Sequence, residues 1–408
     1  MSKIVPFQAL RPVPALASKV ASRPYDVLDS REAREEAADN PDSFLHITKS
    51  EIDLPGNVDL HSAEVYEKAK ENLRNFIDKG VLLQEDKPCY YIYRLIMDGK
   101  SQTGLVACSS VDDYDGGIVK KHELTRPEKE KDRIDHMRTI RAQTGNVFLA
   151  YRSVAAIDRL IAGWMDSHAA LYDFVAADGI GHTVWTVDDD DTIARITELF
   201  AREVPFTYIA DGHHRAASAA KVRRALGHEA SEAAGYFLTT LFPSAQLRIL
   251  DYNRLVHDLN GLSRAQFLER LRRDFFVGRV DKAFSPEALH EFGMYLDGSW
   301  YKLVAKDGSF ANDPIGVLDV TILQRNVFDR LLAIKDPRTD KRIEFVGGIR
   351  GLAELEKRVN SREMKAAFSL YPVSIQQLFD IADSGEVMPP KSTWFEPKLR
   401  DGLLTHLI

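Results

Sequence analysis

The apolar run at residues 206–210 ends on Asp211-Gly212 and passes at once into His213-His214-Arg215, after which Ala216, Ala219 and Ala220 recur at helical spacing. A buried strand, a tight turn and a helix are compressed into one stretch. Gly212 permits a turn that other residues resist and lets a ligand approach the backbone, and the small alanines let the helix lie close on a sheet. The first turn of such a helix carries amides that no carbonyl four residues back can satisfy, and anions bind there. With two imidazoles and a guanidinium alongside, the stretch offers the donors that a di- or triphosphate requires. The competing reading is local, with Asp211 as a helix cap and the histidines on the surface. Three polar or basic residues directly after a buried strand serve no packing purpose, which favours the phosphate reading. A zinc site on His213 and His214 is disfavoured, because neighbours on a helix point about 100° apart and no third ligand lies at motif spacing.

The surrounding chain alternates regularly. A strand is expected at 147–151, a helix over 153–170, a strand at 183–187 beside the phosphate-binding strand, and a helix with Ile193, Ile196 and Phe200 on one face. The four aspartates at 188–191 suit that helix's first turn better than a metal. Residues 90–97 and 102–109 flank Asp98-Gly99, a two-residue hairpin signal. If Met97 pairs with Lys100, Cys89 faces Cys108, and in a reducing compartment both stay reduced. Thr125-Arg126-Pro127-Glu128 has capping-box spacing for a helix running to about Ala142, with Ile134, Met137 and Arg141 on one face. An acidic turn is expected at 112–117.

The proline-containing residues 1–85, with helical stretches at 30–38 and 62–79, read as an irregular lead-in packed on a core at 86–228. Beyond that, short strands at 236–241, 300–304, 343–346 and 366–370 and helices at 263–273 and 373–381 describe a second α+β unit, 229–408. Its tail, rich in proline and aromatics at 388–399, is expected to pack back on the body. The fold class expected is therefore α+β.

Sixty-one acidic against 54 basic residues leave a net charge of −7, so no general basic face exists to collect nucleic-acid phosphates, although a local pocket can still be basic. No apolar run reaches the length of a membrane span and the first ten residues lack signal-peptide order, so a soluble cytoplasmic protein without a membrane partner is expected. Two cysteines exclude a disulfide framework.

Two motifs carry a resemblance. Asp211 to Arg215 is similar to the phosphate-binding DGHHR of the ParB/sulfiredoxin superfamily, and His122-Glu123 to the His-Glu pair of its SerK-type free serine kinases. Arg23 to Val27, Lys121 to Pro127, His182 to Trp185 and Pro389 to Thr393 resemble the larger bacterial proteins grouped with those kinases. The kinase-like part covers about residues 115–228. The resemblance implies a ParB/sulfiredoxin-like core, ATP or ADP as phosphate donor or acceptor, Mg²⁺, and a small hydroxy amino acid, free L-serine or O-phosphoserine, as substrate. By the same resemblance Gly212, His213, His214 and Arg215 hold phosphates. Glu123, His122 and Asp211 serve catalysis, and His182, Thr183 and Trp185 contact substrate or phosphate.

Departures narrow the choice. Sulfiredoxins carry a cysteine where this chain has His213, so sulfinic-acid repair is excluded, and no basic helix-turn-helix module supports the DNA partitioning of ParB. The two motifs also stand farther apart than in a minimal kinase of this type. Two other functions use the same residues: a regulatory nucleotide-binding protein without turnover, and a phosphatase with water as acceptor. Glu123 separates the first of these, since a sensor needs no base. On the residues alone Glu123 reads equally as a solvated charge beside Lys120 and Lys121.

Overall fold

In the computed structural model, which describes residues 1–408, the chain forms two units: 1–247 together with 397–408, and 248–396. The first is built on nine strands: β1 (Ile4–Val5), β2 (Tyr90–Met97), β3 (Lys100–Ser110), β4 (Val119–Lys120), β5 (Val147–Tyr151), β6 (Tyr172–Val175), β7 (Gly181–Val187), β8 (Thr207–Asp211) and β9 (Tyr236–Pro243). Their order across the sheet is β4-β8-β5-β9-β3-β2-β7-β6, with β1 added on β3. Only β4–β8 and β5–β9 are parallel pairs.

Asp98 and Gly99 both adopt positive φ, 52° and 72°. That is the twist a two-residue hairpin demands, and it sets Met97 opposite Lys100 as expected. The cysteines nevertheless do not face each other. The β2–β3 ladder runs only to Tyr91 opposite Val106. Beyond it β1 takes the place beside β3, Val5 opposite Cys108, while Cys89 bridges to Phe7. The N-terminal segment has wedged between the two ends of the hairpin. Both thiols are free and buried.

The five longest helices of this unit pack on the sheet and the lead-in: α1 (Ala63–Asp78), α2 (Pro127–Ile140), α3 (Ala155–Ser167), α4 (Asp190–Glu203) and α5 (His213–Leu226). Ile157, Ile161 and Trp164 of α3, Ile196 and Phe200 of α4, and Ala216, Ala219 and Ala220 of α5 join one core with Leu149 and Ile209 of the sheet. Asp189 caps α4 through the Thr192 amide, as the acidic run requires. The capping box on α2 does not form. Arg126 is the residue before its first turn, and the Thr125 hydroxyl bonds the Glu130 carboxylate instead, which also pairs with Lys221 of α5. Arg141, expected on the helix face, ends it in the left-handed region at φ 55°. The turn expected at 112–117 is a short helix, Val111–Asp115.

The lead-in makes its own small core, Leu10, Val20, Phe44 and Ile47 closing on Ala69, Leu73 and Phe76 of α1 and Ile140 of α2. Residues from the far end of the chain join the same unit: Asp401 pairs with Ser22, Thr405 with Leu10, and His406–Leu407 with Ala142–Gln143.

Two expectations fail on topology. Tyr236–Pro243, expected to open the C-terminal unit, is β9 at the middle of the first sheet, so the division falls after residue 247 rather than after 228. The β7 strand bearing His182 is not beside β8; β5, β9, β3 and β2 lie between. Chain order suggested adjacency, but β7 found its partner in the hairpin strand β2.

The second unit holds a six-stranded antiparallel sheet: β10 (Tyr252–Val256), β11 (Phe275–Val280), β12 (Glu291–Leu296), β13 (Ser299–Ala305), β14 (Ile343–Gly347) and β15 (Ala366–Leu370), in the order β11-β13-β12-β15-β10-β14. Trp300, Val346 and Ala367 of this sheet pack with Leu355 and Val359 of the helix Gly351–Asn360. Trp394–Phe395 pairs with Ile249–Leu250. The mixed α+β class follows. No helix is long and apolar enough to cross a membrane.

Candidate functional site

One register decides the site. Strand β4 runs parallel to β8 with Lys120 opposite Tyr208. Two parallel strands end on the same side, so the residues just past β4, His122 and Glu123, arrive level with the end of β8, where Asp211 turns into α5. Residues about ninety positions apart are thereby neighbours: the His122 and His213 rings stand edge to face at 87°, 4.6 Å between centroids. Ligating atoms of His122, Glu123 and His213 all lie within 4.8 Å of one another.

Gly212 sits at φ 95° as the residue before α5, and a Cβ there would meet the Val147 Cα at 3.3 Å. The positive φ favours glycine there, and the tight approach to Val147 leaves a side chain little room. The Gly212 amide donates to Asp211 Oδ1 (2.9 Å), and Lys398 Nζ donates to Asp211 Oδ2 (3.1 Å). Burial raises the Asp211 carboxyl's pKa, but the charges of Lys398 and Arg215 more than offset it and hold the group well below the usual carboxylate range. Asp211 is thus a fixed anion that locks the turn.

Burial drives both site imidazoles toward neutrality. His122, 1% exposed, is pushed down to about 4, and His213 lies well below its ordinary value, first by burial and then by His122. Neither ring nitrogen of His122, nor Nε2 of His213, has a well-formed hydrogen bond. His214 accepts from the Arg126 amide at Nε2 (3.0 Å), which leaves its other nitrogen as a donor. Burial again lowers its pKa, with the charge of Lys129 second.

Arg215 departs from the role of an open phosphate donor. It is 7% exposed, donates to the Asn146 carbonyl and to Asp26 Oδ2 (3.0 Å), and so stands behind the turn rather than in front of it. The Tyr25 ring lies under two guanidiniums, Arg133 at 4.0 Å and Arg215 at 5.8 Å. Asp401 completes this buried cluster. Tyr25, Asp26, Arg133, Lys398 and Asp401 were not assigned to the site from the sequence. The Arg23 to Val27 match is the one signal for the first pair, and the composition of the 388–399 tail the one signal for Lys398; nothing in pattern or spacing points to Arg133 or Asp401.

His182, Thr183 and Trp185 are engaged elsewhere in the same unit. His182 bonds the Tyr93 hydroxyl (2.8 Å) and accepts from Arg400 Nε (3.2 Å), and burial followed by the Arg400 charge pushes it to about 3. Thr183 donates to Asp173 (3.0 Å), and Arg94 lies over the Trp185 ring at 4.7 Å. The structure brings together Glu123, His122 and Asp211 to Arg215, but not these three.

No curated protein matches the chain in sequence. Among solved structures, a free serine kinase in complex with AMP is 13% identical, covering 77% of this chain and 92% of its own, with a TM-score of 0.38. A conserved hypothetical protein from Pyrococcus furiosus is 14% identical, covering 74% and 94%, at 0.36. SbnI from Staphylococcus aureus, truncated at its C-terminus, is 12% identical, covering 74% and 87%, at 0.34. At such scores these likenesses establish neither fold nor activity. A family model does match, over residues 4–321, and on that match the chain belongs to DUF1015, a protein family of unknown function.

Proposed function

We propose that this chain is a nucleotide-dependent phosphotransferase on a ParB/sulfiredoxin-like core, moving a phosphoryl group between ATP or ADP and the hydroxyl of a small amino acid, free L-serine. The reverse reaction would consume O-phosphoserine. The observation that carries the reading is the parallel β4–β8 pairing, which sets the Glu123 carboxylate against the N-terminus of α5. Phosphoryl transfer asks for held phosphates and a group at the acceptor hydroxyl, and little covalent chemistry from the protein.

The first-turn amides of His213, His214 and Arg215 are the phosphate donors in this reading, joined by the free nitrogen of His214. The fixed anion Asp211, tied to the Gly212 amide, aims that turn. Lys121, Arg126 and Lys129 lie along the same loop and helix start, a local basic field in an acidic chain. Glu123 takes the acceptor's hydroxyl proton. Arg215 acts as the brace that fixes the turn to Asn146 and Asp26. The Mg²⁺ implied by the resemblance finds a poor fit: two imidazoles are not the oxygen donors it prefers. No step is assigned to it. Amino-acid identity rests on the resemblance alone.

The test is ³¹P NMR of the purified chain with ATP or ADP and a panel of hydroxy amino acids. Transfer to serine is expected, with Glu123→Gln lowering turnover by about 10² to 10⁴ and leaving nucleotide affinity within a few fold. A fully active Glu123→Gln variant removes the base. Nucleotide binding without any transfer favours the regulatory reading, and release of inorganic phosphate from O-phosphoserine favours the phosphatase.

A further inference from the structure

Three buried imidazole nitrogens, both of His122 and Nε2 of His213, lack a well-formed hydrogen bond within a single small volume, although the Ile209 backbone lies close enough to His122 to act on it. Buried polar atoms in folded proteins are nearly always satisfied, and an orphan calls for a reason. Edge-to-face packing of the two rings explains their proximity but satisfies none of these nitrogens. The third member, Glu123, adds an anionic oxygen to the same volume from the same loop as His122. Two neutral imidazoles and one carboxylate form a ligand set suited to first-row transition ions and ill suited to Mg²⁺. The present spacing, at most 4.8 Å between ligating atoms, needs only modest side-chain movement to reach bonds of about 2.0–2.2 Å.

We propose that His122, Glu123 and His213 bind one divalent first-row transition-metal ion of the zinc class, with a remaining coordination position open at the N-terminus of α5. The site is anchored on both sides. His122 follows β4, and His213 opens a helix whose preceding turn is locked by Asp211 and Lys398. Three protein ligands with one open position is the pattern of an ion that meets a substrate rather than one that only staples a fold. A carboxylate that ligates through one oxygen keeps the other for a neighbouring hydroxyl, so the site is compatible with the phosphotransfer reading. It does not depend on that reading.

The experiment uses the full chain, stripped with chelator, and reads metal rather than turnover. Zn²⁺ uptake is measured by elemental analysis after equilibrium dialysis, and Co²⁺ binding by its visible absorption. One ion per chain is expected. Glu123→Gln and His213→Asn should each weaken affinity about tenfold or more, while His61→Asn and His168→Asn, remote from the cluster, leave it unchanged. Circular dichroism of each variant separates loss of a ligand from loss of fold, and Glu123, the least buried of the three, gives the cleaner variant. Absence of uptake by the wild-type chain, or uptake indifferent to both Glu123→Gln and His213→Asn in folded variants, would overturn the assignment. Failure of the phosphotransfer assay alone would leave it standing.

Discussion

Asp401→Asn should stabilise the first unit at alkaline pH, although it removes a carboxylate that sits among arginines. Asp401 is 2% exposed and its Oδ2 has no partner. Loss of solvent dominates, and the attraction of Arg215 only partly offsets it, so the carboxyl is pushed up to about 7. An unfolded chain releases that proton near pH 4. Between about pH 4 and 7 the folded chain therefore binds more protons than the unfolded one, and stability falls as pH rises through that window. Each pH unit is worth about 1.4 kcal/mol, which sets a ceiling of about 4 kcal/mol. Relaxation and water entry should reduce the realised value to about 2 kcal/mol. Asparagine keeps the shape without the ionisation. Urea unfolding at pH 5 and pH 8, followed through Trp164 and Trp185 in a background lacking Trp300 and Trp394, should show the variant's advantage growing to about 2 kcal/mol at pH 8. A variant less stable than wild type at pH 8 would refute the reasoning, since it would mean that the ionised carboxylate works as a partner of Arg215.

Three further outcomes are expected. Gly212→Ala should cost about 1–3 kcal/mol in thermal unfolding, because the position combines φ 95° with a 3.3 Å approach to the Val147 Cα; an unchanged melting temperature would show that the turn relaxes freely. On the acid side, burial pushes His122 and His136 to about 4 and His182 to about 3, so their contribution is present above about pH 6.5 and is lost as pH falls through 4. Circular dichroism between pH 7 and 3 should record a cooperative transition there, and a flat profile to pH 3 would contradict neutral burial. Burial pushes Cys89 up to about 11 and Cys108 well above its ordinary value, so a thiol reagent at pH 8 should label neither until urea unfolds the chain. Rapid native labelling would show that the β1 wedge opens readily.

Periodicity served where an element's signal is local. The strand at 147–151, the helix carrying Ile193, Ile196 and Phe200, the Asp98-Gly99 hairpin and the strand-turn-helix at Gly212 all follow from residues within a few positions of one another. What escaped depends on pairing between distant segments. Val119–Lys120 is too short to show alternation, yet it delivers His122 and Glu123 to the site. Arg215 read as an available guanidinium because Asp26 and Asn146 lie far away in sequence. Lys398 and Asp401 belong to a tail that gave no chemical signal, and His182 was misplaced because β7 pairs with the hairpin rather than with its successor in the chain.

The chain leaves the first unit at residue 247 and returns at 397, which makes residues 248–396 an excursion rather than an appendage. Such a detour would ordinarily tax the host, because holding the ends of a long flexible loop together costs entropy that grows by about 0.6 kcal/mol with each doubling of length. Here Ile249–Leu250 pairs with Trp394–Phe395 at the two ends of the excursion, a clasp formed within the second unit. Once that unit has folded, its exit and entry points are already side by side, and the first unit experiences a bridge of a few residues. With the inserted body folded, Lys398 reaches Asp211 with most of the loop-closure cost already met. Loosening the clasp should therefore be felt at the Gly212 turn, in a unit to which none of its four residues belongs.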